Sequence, residues 1–126
     1  MSMLGINDAI ATIAVKDLQR ATTFYRDTLG LEPLATEQRG ASRYASGRST
    51  VLVYQSEFAG TNRATSATWQ VDDVKDLART LRGRGVTFER YDLPGLTREG
   101  DVYVAEHYQG AWFKDPDGNI LHIVSG

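Results

Sequence analysis

"SATWQVDDVKDLARTLRGRGVTF", residues 66–88, repeats the plan of "IATIAVKDLQRATTFYRDTLGL", residues 10–31. Each begins with a short run rich in β-branched and aromatic residues, which favours a strand. An aspartate follows, Asp17 in one stretch and Asp72 or Asp73 in the other, whose carboxylate can accept from the free amides of a helix start. Apolar residues then recur at helical spacing. They are Leu18, Ala21, Phe24 or Tyr25, and Thr28 or Leu29 in the first stretch, and Val74, Leu77, Ala78 and Leu81 in the second. Gly30 in the first, and Gly83 or Gly85 in the second, supply the left-handed residue that ends a helix. Leu31–Leu34 and Val86–Phe88 then open further strands, Pro33 marking the former as an edge.

Superposing Val15-Lys16-Asp17-Leu18 on Val71-Asp72-Asp73-Val74 needs an offset of 56 residues. Both halves continue with hairpin-like patterns, "SRYASGRSTVLVYQ" in the first and "DVYVAEHYQGAWFKDPDGNILHIV" in the second. The chain therefore reads as an internal duplication of two β-α-β-β-β modules, about 4–58 and about 64–126, joined by the polar "AGTNRATS". A module of some 60 residues buries little surface by itself, so the pair is expected to form a single α+β domain over residues 1–126. Pairing the sheets of the two modules would remove edges and build one concave face for a ligand.

The bulk properties narrow the function. The 126 residues are 41% hydrophobic and 24% charged, as in an ordinary globular protein. A net charge of −2 and a pI near 5.6 give no general attraction to nucleic acid or anionic membranes. With no cysteine, disulfides, thiolate metal sites and cysteine nucleophiles are ruled out. The N-terminal stretch has no basic start and no continuous apolar core of a secretory signal, and no run is long enough to span a membrane. A cytoplasmic location is the default expectation.

The strand followed by "VKDLQRATTFYRDTLGL", the repeated "QVDDV…LRGRGV" and the closing "WFKDPDGNILHIV" resemble the vicinal oxygen chelate superfamily. This is the family of glyoxalase I, extradiol dioxygenases and bleomycin resistance proteins. The resemblance implies an α+β fold of paired β-α-β-β-β modules forming a cup-shaped, eight-stranded mixed sheet, frequently completed by homodimerisation, and in the family's enzymes a divalent metal on the cup floor. The Asp117-Gly118 pair of DPDGN suits a type I′ hairpin turn, an architectural role.

The resemblance also implies where metal ligands would stand. Two fall five residues before the valines of the V-x-D caps, at Ile10 and Ser66. A third falls three residues after Asn119, at His122. The fourth falls near Val53 when "TVLVY" is laid over "NILHI", or at Gln55 after a shift of two. A stable zinc or nickel site needs three or four N, O or S ligands, and this set offers one histidine and a weak amide. No metal or other cofactor is expected. Glu106 and His107 add no site, because neighbours on a strand point to opposite faces.

Alternation then gives a cup face of Ile10, Thr12 and Ala14, with Ser66, Thr68 and Gln70, with Val51, Val53 and Gln55, and with Ile120, His122 and Val124. Trp69 belongs to the core. Tyr44, Tyr54, Tyr103, Tyr108 and Trp112 are candidates for walls, Trp112 and Tyr103 foremost. The expected ligand is a small aromatic or cationic molecule held by stacking or cation–π contact, as in a metal-free bleomycin-resistance or drug-sequestering protein. The alternative is a glyoxalase- or dioxygenase-like enzyme, metal-dependent or using His122 for acid–base chemistry.

Overall fold

The computed structural model describes residues 4–34 and 40–125. The chain divides into two compact units, residues 1–59 and 60–126. Both mix helix with sheet, as the α+β reading expects.

In the first unit, strands β1 (Ala11–Val15), β2 (Glu32–Pro33), β3 (Ala41–Ser46) and β4 (Ser49–Gln55) form a sheet in the order β1-β4-β3-β2. Helix α1 (Leu18–Thr22) starts where the Asp17 carboxylate accepts from the amides of Gln19 and Arg20 at 2.9 and 3.3 Å. It runs on as a π-helical segment, Thr23–Thr28, in which the Leu29 amide bonds the Phe24 carbonyl five residues back. The extra residue decides a position the sequence left open. Tyr25, four residues after Ala21, is the buried aromatic, while Phe24 packs edge-on against it. Gly30, at φ 81°, closes the segment as expected.

In the second unit, β5 (Thr65–Gln70), β6 (Thr97–Glu99), β7 (Val102–Ala105), β8 (Tyr108–Lys114) and β9 (Ile120–Ser125) form a sheet in the order β5-β9-β8-β7-β6. Helix α2 (Val74–Gly83) is capped by Asp73, whose carboxylate takes the Asp76 amide at 3.0 Å. It buries Val74, Ala78 and Leu81 towards Ala111, Phe113, Leu121 and Ile123. The strand expected at Val86–Phe88 is only a bridge from Phe88 to Phe113, while β6 is an additional edge strand. The described residues thus hold nine strands in two sheets instead of eight in one. None of their helices is long and apolar enough to cross a membrane.

The register corrects one expectation. β1 pairs with β4 as Ile13↔Val53, and β5 pairs with β9 as Thr68↔His122. Directly paired residues share a face, so Val53 lies with Ile13 on the buried side, at 0% and 1% exposure. By the 56-residue repeat Thr68 corresponds to Thr12, and Thr12 pairs with Leu52. The counterpart of His122 is therefore Leu52. The overlay of "TVLVY" on "NILHI" was one residue out, which exchanges the two faces of the strand. Val51 moves into the core with Val53, and Leu52 and Tyr54 take the open side beside Thr12 and Ala14.

The DPDGN turn is corrected too. Gly118 is at φ 92°, but Asp117 has no positive φ, which excludes a type I′ turn. Instead the Gly118 amide closes a turn on the Asp115 carbonyl at 3.0 Å, and the buried Asp115 carboxylate gathers the donors that follow.

Candidate functional site

Strand alternation in the second unit puts Thr68 of β5, His122 of β9, and Tyr108, Gly110 and Trp112 of β8 on the sheet face opposite α2. Trp112 and His122 are direct cross-strand partners. Their rings stack at 4.4 Å with only 13° between planes. Tyr103 and Tyr91 meet Trp112 edge-on at 5.5 and 5.8 Å. Each such aromatic pair contributes about 0.5–1.5 kcal/mol beyond its buried area.

Both nitrogens of His122 are partnered. Nδ1 lies 3.3 Å from the Thr68 hydroxyl, and Nε2 lies 3.3 Å from the Tyr108 hydroxyl. Hydroxyls either donate or accept, so they suit both tautomers of a neutral ring and stabilise its cation little. A carboxylate in either place would fix the tautomer and favour the charged form. Burial is the force that remains, and it holds the His122 pKa below its ordinary 6.5. Burial likewise raises the Tyr108 phenol above its usual 10.

Gly110 makes this arrangement possible. A Cβ there would lie 2.1 Å from the Tyr108 hydroxyl oxygen and 3.0 Å from His122 Nε2. Only a residue without a side chain lets the Tyr108 ring fold across its own strand to His122.

The structure brings His122, Trp112 and Thr68 together on this face. Tyr103 joins them differently. It is 2% exposed, and its hydroxyl accepts from the Tyr91 amide and donates to the Tyr91 carbonyl. It braces the segment behind Trp112 instead of forming a wall. Ser66 sits at a β-bulge between Thr65 and Ala67 and is half-buried. Ile10 is exposed, just ahead of β1, and its carbonyl takes the hydroxyl of the exposed Thr12 at 3.1 Å.

Two expected site residues are misplaced. Val53 is in the core of the first unit. Gln55 shares its strand parity but lies at the end of β4, where its amide donates to the Lys16 carbonyl at 3.1 Å. Glu106 and His107 are both highly exposed in the two-residue turn between β7 and β8, with His107 at φ 60°, so the opposing-faces argument does not apply to them. Tyr91 and Gly110 escaped the sequence reading. The first lies in a stretch without periodicity, and the second matters only through the path of Tyr108.

The metal implied by the resemblance does not fit these residues. In the corrected register its four positions hold the exposed Ile10, Ser66 at a bulge, Leu52, and His122, whose nitrogens face hydroxyls. Among the described residues no three His, Cys, Asp or Glu side chains are grouped to hold an ion.

The lowered His122 pKa has a definite sign. Between that pKa and 6.5 the unfolded chain binds more protons than the folded one, so stability falls as the pH drops through this window and is level above it. Urea midpoints at pH 7.5 and 5.0 are expected to differ less in His122→Gln than in the wild type. Equal differences would remove His122 as a source of the pH dependence.

Comparison with known proteins agrees with this fold. Residues 8–123 match the Glyoxalase/Bleomycin resistance protein/Dioxygenase superfamily, and the chain belongs to that family. Among solved structures it is similar to a glyoxalase/bleomycin resistance protein from Streptomyces sp. CB03234, at 22% identity and TM-score 0.64, covering 93% of this chain and 98% of that one. It is similar to a lactoylglutathione lyase from Agrobacterium tumefaciens, at 17% identity and TM-score 0.71, covering 96% and 94%. The fosfomycin resistance protein FosX from Listeria monocytogenes aligns at 17% identity and TM-score 0.69, covering 96% and 91%. At these identities the likeness concerns the fold. A search of curated proteins finds no match.

Proposed function

We propose that the chain is a metal-free small-molecule-binding protein of the bleomycin-resistance or drug-sequestering type, with an aromatic ligand. The observation that carries this reading is the half-buried Trp112–His122 stack on the sheet face opposite α2, its imidazole kept neutral by burial and met by hydroxyls alone. Flat apolar rings with a few neutral hydrogen-bonding groups suit a planar ligand, which loses little solvation on docking. A metalloenzyme reading would need donors that these positions lack.

Thermal denaturation with a panel of planar aromatic compounds in the presence of a chelator tests the proposal. A ligand at ten times its Kd stabilises by about 1.4 kcal/mol, which raises the Tm by several degrees. Trp112→Ala is expected to abolish that rise. The absence of any shift across the panel, or shifts equal in Trp112→Ala, would count against the proposal.

One observation favours a second reading. The Tyr108–His122–Thr68 chain of hydroxyl, imidazole and hydroxyl is also suited to metal-independent proton transfer near neutral pH. Turnover of a panel compound that survives the chelator and is lost in His122→Gln would establish it.

A further inference from the structure

Beside the Trp112–His122 pair, one step along the same strands, lies a groove of about 350 Å³ whose walls include Asn62, Arg63, Glu89, Tyr91, Lys114 and Ile120. Lys114 and Ile120 are cross-strand partners, as Trp112 and His122 are. Lys114 lies two residues from Trp112 on one face of β8, roughly 7 Å along the strand. The groove therefore continues the aromatic surface.

Its charge is unbalanced. Arg63 has no hydrogen-bond or ion-pair partner among the described residues. Lys114 is held by Glu89 at 3.3 Å, longer than a well-formed charged hydrogen bond. Two cations face one carboxylate, so the groove has a net charge of +1. Glu89 also has an alternative partner. The buried Tyr91 hydroxyl lacks one among the described residues, and the Glu89 charge is among the causes, after burial, that raise its pKa.

We propose that this groove is a carboxylate-binding subsite, and that the ligand is an aromatic acid whose ring lies on the Trp112–His122 surface while its carboxylate reaches Arg63 and Lys114. This rests on the aromatic-ligand reading above and selects, within it, anionic over cationic ligands. The incoming carboxylate takes Lys114, and Glu89 turns to the Tyr91 hydroxyl. Arg63 supplies the fork of parallel donors that a carboxylate matches.

Binding of 3-phenylpropanoate, its amide and 3-phenylpropylamine to the full chain, measured by calorimetry, tests the proposal. The acid is expected to bind about tenfold more tightly than the amide, and the amine more weakly than either. Arg63→Ala, at an exposed loop position, should remove most of the acid's advantage and leave the amide unchanged. Glu89→Gln should tighten the acid by freeing Lys114. Acid and amide of equal affinity, or an advantage that survives Arg63→Ala, would overturn the subsite and leave the aromatic reading standing. If none of the three binds at millimolar concentration, the aromatic reading falls, and the subsite with it.

Discussion

Asp115→Ala is expected to destabilise the second unit by about 3–5 kcal/mol, the largest loss foreseen for a single polar residue here. The side chain is 5% exposed and accepts from the amides of Asp117 and Asn119, both at 2.9 Å, and from the side-chain amide of the buried Asn119 at 2.8 Å. Deleting the carboxylate strands those donors, each at a cost of roughly 1–3 kcal/mol, offset in part where water enters. More than local stability depends on it. The turn sets the β8–β9 register that puts Trp112 opposite His122, and a slip of one residue would send His122 into the core. Asp115→Asn, which keeps an acceptor, should lose markedly less. Urea unfolding checks both variants, and a loss under about 1 kcal/mol in Asp115→Ala would refute this role for the turn.

Gly110→Ala should disrupt the site although the glycine has no side chain of its own to touch a ligand. The added methyl carbon would stand 2.1 Å from the hydroxyl oxygen and 2.7 Å from the Cζ of Tyr108. A rigid phenol ring cannot yield by bending, so it must swing away or push the strand aside. Such overpacking costs about 1–3 kcal/mol. Tyr108 is then expected to titrate closer to its ordinary value, and His122, uncovered on its Nε2 side, closer to 6.5. Tyrosine absorbance and histidine NMR titrations read these two changes separately. Tyr108→Phe, which keeps the ring and loses the hydroxyl, should shift His122 less. Unchanged titrations in Gly110→Ala would show that Tyr108 does not depend on the glycine for its place.

The parts of this protein legible in its sequence are those where a local rule acts alone. Asp17 and Asp73 start helices because free amides need acceptors, and the strands with clear alternation, β1 and β9, presented the expected faces. β4 did not, because Val51-Leu52-Val53 is apolar throughout and its side-chain pattern favours neither face. Only pairing with β1 decides that Leu52 takes the open side. The π-helical insertion left Phe24 and Tyr25 undecided for the same reason, since both are aromatic and only packing distinguishes them. Within the site, alternation gives the face of His122, whereas Trp112 is legible only as an aromatic candidate for a wall. Tyr91 comes from an irregular stretch, and the role of Gly110 depends on the rotamer of a neighbour. The Glu106-His107 pair reads as strand from its flanks, yet forms the turn that lets β7 and β8 pair.

The proposed function requires that the His122 surface take an aromatic molecule and hold no metal ion. Calorimetric titration of the chelator-stripped protein with nickel and zinc tests it most directly. No stoichiometric site tighter than about 10 μM is expected, and the titrations of wild type and His122→Ala should be identical. One tightly bound ion per chain in the wild type, lost in His122→Ala, would contradict it.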